Sequence, residues 1–145
     1  MPLPAPDLGL VVSYAYLWNS GFEEGRDEGV KDRPCALVLS SQDMGGDTIV
    51  AVAPVTHSQP ERPEEAVEIP AVVKRHLGLD EARSWIVVSE INRFIWPGPD
   101  LRPVSRAERE RFEYGFLPPA LFRQVLEKFK ATVAARRLRT VPRTE

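Results

Sequence analysis

One cysteine in 145 residues excludes an intramolecular disulfide, and only two histidines argue against a zinc site built by this chain. No cofactor is expected. Long apolar runs are missing too: none approaches the roughly 20 residues of a membrane span. The opening Met1-Pro2-Leu3-Pro4-Ala5-Pro6-Asp7 lacks a basic region followed by an apolar one, so it does not read as a secretory leader. A cytoplasmic protein without membrane attachment is expected. There is no glycine-rich phosphate loop of Walker type, no serine elbow, no internal repeat and no second-domain linker. Net charge is also small, at −2, which gives no overall pull toward nucleic acid.

That charge is unevenly spread. Ala120 to Glu145 holds seven Lys/Arg and two Asp/Glu, so this segment carries +5 against −7 for the rest. Such a tail can bind phosphates, or it can be a solvated helix end, where cations complement the dipole. Composition is otherwise ordinary: 43% hydrophobic and 28% charged residues suit one globular domain. We divide the chain into a proline-rich start (1–8), a folded domain (9–138) and a basic tail (139–145).

Alternation and turn chemistry give the elements. Leu8 to Trp18 reads as a strand, with Val12, Tyr14, Tyr16 and Trp18 on one face and smaller residues opposite. Asn19 to Lys31 follows as a loop with three glycines and the acids Glu23, Glu24, Asp27 and Glu28; it is either a flexible lid or a plain long hairpin loop. Cys35–Ser40 and Thr48–Ala53 are apolar strands joined by a turn at Asp43-Met44-Gly45-Gly46-Asp47. Val67-Glu68-Ile69 alternates as a short strand. Pro70 suits the start of a helix through Val72, Val73 and Leu77, with Gly78 as its left-handed cap. Trp85–Ser89 and Ile91–Trp96 are further strands. Ser105-Arg106-Ala107-Glu108 matches a capping box and predicts a charged helix ending near Gly115. Pro118-Pro119 opens a last helix whose stripe is Leu121, Phe122, Val125, Leu126, Phe129 and Val133. The fold class expected is mainly β with α, a barrel-like antiparallel sheet of about five to seven strands with two or three helices.

Two strand ends carry the functional signal. Lys31-Asp32-Arg33-Pro34 leads into one core strand, and Pro34 marks its first residue because proline cannot donate to a ladder. Pro54-Val55-Thr56-His57-Ser58 closes the next and presents a hydroxyl beside an imidazole. Arginine-proline opening one strand and proline-x-threonine closing the next resembles the PemK/MazF-like toxins of bacterial toxin–antitoxin pairs. Gly9-Leu10-Val11-Val12, Ser84-Trp85-Ile86-Val87-Val88 and Gly115-Phe116-Leu117 fall in the matching order, so the resemblance covers roughly residues 9 to 135. It implies an SH3-like barrel with a long C-terminal helix and a homodimer. It also implies a metal-independent, sequence-selective endoribonuclease that cuts single-stranded RNA and is blocked by a cognate antitoxin protein, with DNA bound only through the antitoxin complex. In such toxins the arginine and threonine of these motifs are catalytic, here Arg33 and Thr56. Arg26, Lys31, His57 and Ser58 lie beside them in sequence and are candidate substrate-binding residues.

RNA cleavage of this kind is chemically feasible with so small a set, since the nucleophile is the substrate's own 2′-hydroxyl. A guanidinium stabilises the phosphorane through its fork of donors, although it is a poor base. His57 is outside the family pattern; an unperturbed imidazole titrating near 6.5 is the better acid or base, or it is a plain surface residue. Asp32 departs from the pattern as well, and either orients Arg33 or neutralises it. Cys35, within a core strand, reads as a buried hydrophobe. The alternative reading is a binding module on the same fold, such as a gyrase-poisoning or degenerate toxin.

Overall fold

The computed structural model describes residues 3–20 and 31–143. Among the described residues, eight strands and two helices make it mainly β with α. The strands are β1 (Leu10–Tyr14), β2 (Arg33–Gln42), β3 (Thr48–Thr56), β4 (Ala66–Glu68), β5 (Trp85–Val87), β6 (Glu90–Ile95), β7 (Glu113–Phe116) and β8 (Arg139–Pro142). The helices are α1 (Ala71–Leu77) and α2 (Pro119–Ala134), with a 3-10 turn at Pro63–Glu65. Among these residues no helix is long and apolar enough to cross a membrane.

β3 is the organising strand. One of its edges pairs with β2 over Thr48–Pro54; the other pairs with β6 over Ile49–Val52 and with β5 over Val55–Thr56. Pro54 sits in the interval between those two partners, so β3 runs through the proline instead of stopping at Ala53 as expected. The ladder continues from β2 to β1 and β7 on one side and from β5 to β4 on the other. No pairing joins β4 to β7 among the described residues, so the barrel-like closure expected from sequence is not what the strands form: the sheet is open.

Side-chain alternation along the central strands feeds two apolar layers. Val11, Ala36, Val38, Ala51, Ala53 and Val55 pack with the helices through Val73, Leu77, Leu121, Val125 and Phe129. Val12, Tyr14, Tyr16, Cys35, Leu37, Val50 and Phe94 pack on the other side. Of the α2 stripe, Leu121, Val125 and Phe129 are core and Phe122 packs against it; Leu126 is half-buried outside the core, and Val133 is exposed. α1 stops at Gly78, where φ is +73° and the cap N–H reaches back to carbonyls of the last turn, as expected. At the β2–β3 hairpin Asp43 Oδ1 accepts the N–H of Gly45 and of Asp47, locking the turn read from sequence.

Other expectations need correction. β1 ends at Tyr14, although Ala15, Tyr16 and Leu17 stay buried beyond it. β2 begins at Arg33 rather than Pro34, because Tyr14 pairs with Arg33 and Ser13 with Pro34. The helix predicted from Ser105 does not form. Ser105 Oγ accepts the N–H of Glu108 at 3.2 Å, but the chain makes only turns before entering β7. A charged segment with no apolar stripe has nothing to hold a helix against the core. Arg139–Pro142, within the segment expected as a basic tail, form strand β8, parallel to β6. The loop expected over 19–31 lies mostly, at 21–30, outside the described residues, and Arg26 lies outside with it.

Candidate functional site

The start of β2, the turn after β3 and the α1–β5 connection enclose a cleft of about 820 Å³. Lys31, Arg33, Thr56, His57 and Ser58 all line it. Antiparallel register explains the convergence. The β2–β3 register runs as far as Cys35 against Pro54, so Arg33 and Thr56 lie just beyond it at the same end of the two strands. Arg33 reaches across the pair, its Nη1 donating to the carbonyl of Val55 at 3.2 Å. Its guanidinium carbon stands 4.9 Å from the Trp18 ring centre, a cation–π contact that fixes the fork. Burial pushes the Arg33 pKa below the usual arginine value, and its Nε is buried without a hydrogen-bond partner among the described residues.

Among the described residues no ion pair joins Asp32 to Arg33; the Asp32 carboxylate lies 3.8 Å from Arg102 Nε. Thr56 Oγ1 accepts the N–H of Ser58 at 3.2 Å, a small hydroxyl turn that bends the chain out of β3 and carries His57 into the cleft.

His57 is not a solitary surface histidine. Its Nε2 is 2.8 Å from Asp80 Oδ2. The other oxygen of Asp80 accepts Lys74 Nζ at 2.6 Å and the N–H of Ala82 at 3.2 Å. Lys74 also donates to the Ala82 carbonyl and to Ser84 Oγ, so all three of its protons have acceptors. The lysine side chain is only 5% exposed, whereas those of His57 and Asp80 are more than half exposed. The hydrogen bond from Lys74, then its charge and that of His57, hold the Asp80 carboxyl below its ordinary value against a smaller effect of burial.

Sequence reasoning missed Lys74, Asp80 and Ser84. A lysine beside the buried Val73 and Leu77 in α1, followed by Gly78-Leu79-Asp80, is a faint signal at best, since the partners meet only after α1 turns back toward β5. The cleft carries both signs of charge: Asp32, Glu61, Glu65 and Asp80 line it along with the cations. It can grip an anionic group at Arg33, offer a hydroxyl at Thr56 and present an imidazole braced by a carboxylate. Among the described residues no three of His, Cys, Asp and Glu cluster so as to hold a metal ion. Cys35 is fully buried, and burial pushes its thiol well above the usual range, which suits packing and not nucleophilic attack. The chain matches no protein-family model and no curated protein.

Proposed function

We propose that this cleft is the active site of a metal-independent, sequence-selective endoribonuclease of the PemK/MazF-like toxin kind, acting on single-stranded RNA. The carrying observation is that the arginine of the arginine-proline motif and the threonine of the proline-x-threonine motif lie at the same end of the β2–β3 pair and line one cleft. In this reading the open sheet and α2 are a variant of the SH3-like barrel that the resemblance implies. The substrate's 2′-hydroxyl attacks the adjacent phosphorus, the 5′-oxygen leaves, and a 2′,3′-cyclic phosphate remains. Arg33 faces the charge that develops on the phosphorane; preorganised charge of this kind contributes about 3 to 4 kcal/mol. Thr56 holds the phosphate or the attacking hydroxyl, and Lys31, Arg26, His57 and Ser58 bind the flanking nucleotides. The protein acts in the cytoplasm as a homodimer, is blocked by a cognate antitoxin protein, and meets DNA only in complex with it.

The test is incubation of the purified protein with a weakly structured RNA in EDTA, followed by mapping of the ends. Cuts at one short recurring sequence, leaving cyclic phosphate and 5′-hydroxyl ends, are expected. A second reading, a binding module without catalysis, draws on the acidic lining of the cleft, which repels a polyphosphate chain. Intact RNA after prolonged incubation would establish it in place of the first.

A further inference from the structure

We infer that His57 and Asp80 form an acid–base dyad in this cleft, His57 taking the proton of the attacking 2′-hydroxyl and Asp80 positioning the ring. The inference rests on the ribonuclease reading and extends it with a proton acceptor that the arginine–threonine pair does not supply. Arginine stays protonated and a threonine hydroxyl is a far weaker base than an imidazole. Two of the other cleft carboxylates are engaged in ion pairs: Asp32 with Arg102, and Glu65 with Arg62 and Arg137. Lys74 has three acceptors and no lone pair while protonated. His57 is the cleft group with a nitrogen suited to the task.

Three features separate this arrangement from an ordinary surface ion pair, which fluctuates and contributes little. Asp80 is anchored from behind by the buried Lys74 and from the side by the Ala82 N–H, so its Oδ2 is a fixed acceptor. Next, the Ser58–Thr56 turn fixes the backbone that carries His57. Finally, an ionised carboxylate only accepts, so Nε2 bears the ring hydrogen and Nδ1 keeps the lone pair that receives a proton. The balance closes with water. The 2′-oxygen bonds to phosphorus as its proton passes to Nδ1, the bond from phosphorus to the 5′-oxygen breaks, and the 5′-oxygen takes a proton from water. The imidazolium then returns its proton to the resulting hydroxide. The charged and titratable groups that line the cleft with His57 are Asp80 and Lys74 from the α1 side, Lys31, Asp32 and Arg33 from β2 and its lead-in, Glu61 and Glu65 from the segment after β3, and Tyr114 from β7.

The experiment is the pH profile of kcat/KM for RNA cleavage in EDTA, run on wild type, Arg33→Ala, His57→Gln and Asp80→Asn. His57→Gln should lose roughly a hundred- to ten-thousand-fold in rate, with the melting temperature unchanged, and its acid limb should vanish. Asp80→Asn keeps an acceptor for Lys74 but removes the charge beside the ring, so the acid limb should move to lower pH. A merely structural role would leave that limb in place. Nitrogen chemical shifts of the His57 ring in the uncomplexed protein should report hydrogen on Nε2; hydrogen on Nδ1 overturns the dyad whatever the rates. If wild type cuts RNA and Arg33→Ala does not, while His57→Gln keeps both rate and limb, the ribonuclease reading stands and the dyad falls. If wild type cuts nothing, both fall.

Discussion

At the scale of single residues, Arg33 combines a functional position with a structural one. The sequence places it ahead of the core strand, where truncation would cost almost nothing. In the structure it begins β2, bonds the Val55 carbonyl and covers Trp18. Arg33→Ala should therefore remove cleavage, by some hundreds-fold or more, and also cost about 1–2 kcal/mol in urea unfolding. Arg33→Lys should recover part of the stability and little of the rate, because the planar fork is lost. Thr56→Ala should slow cleavage several-fold, the worth of one neutral hydrogen bond of about 1 kcal/mol. Two carboxyls should give stability opposite slopes with pH. Asp80 ionises more readily folded than unfolded, so its contribution is present above the ordinary aspartate value of about 4 and is lost as pH falls through the lower folded value. Glu90 is raised by burial while accepting Tyr16 Oη–H and the Asn19 N–H. Its contribution is present below the ordinary glutamate value of about 4.3 and is lost as pH rises through the raised one. Urea midpoints should show Asp80→Asn destabilising at pH 7, by an amount that shrinks as pH falls below about 4. Glu90→Gln should stabilise at pH 8 and be silent at pH 4. Reversed slopes would contradict the assigned environments.

At the scale of elements, apolar runs made β2, β3, β5 and β6 legible to within a few residues; β2, β3 and β6 feed both apolar layers, and β5 feeds one through Ile86. The gaps have local causes. A capping box satisfies one turn, and Ser105 makes that turn, but a helix also needs an apolar face to bury. β8 was illegible because it is four residues long with Val141 as its one buried residue, Arg143 is buried just past its end, and its partner β6 is some fifty residues away in sequence. Arg143 Nη1 donates to the Ala15 carbonyl and to Asn92 Oδ1, while Nη2 pairs with Asp100 Oδ2 at 3.1 Å. Removing one partner of such a buried pair costs about 3–5 kcal/mol, so Arg143→Ala should lower the denaturation midpoint far more than an exposed arginine such as Arg106. A pair of glycines gives a second comparison. Gly78 has φ +73° and open space around an added methyl; Gly98 has φ +66°, and a Cβ there would stand 2.9 Å from Phe94 Cδ2. Gly78→Ala should cost about 1 kcal/mol, and Gly98→Ala clearly more, since Phe94 belongs to the core.

At the scale of the whole molecule, the order of the motifs made one cleft foreseeable, and five of the six candidate residues line it. The Lys74–Asp80–Ser84 brace was not foreseeable, because it depends on a turn in space that no local spacing encodes. A single cleft is short for an RNA strand of several nucleotides, so two copies related by a two-fold axis should supply an extended path. Light scattering should give twice 16.3 kDa at micromolar concentration; a monomer with full activity would refute the dimer. The clamp at Arg143 also governs when the molecule can come into being. Ala15 and Arg143 are 128 residues apart, so on the ribosome the N-terminal strands must wait until residues 139–143 clear the exit tunnel before β6 gains its outer neighbour. Closing so long a loop is entropically costly and slow. Completion of this fold waits on β8, and a nascent chain passes through an interval with the β6 edge uncovered, open to chaperones or to the edge of another chain.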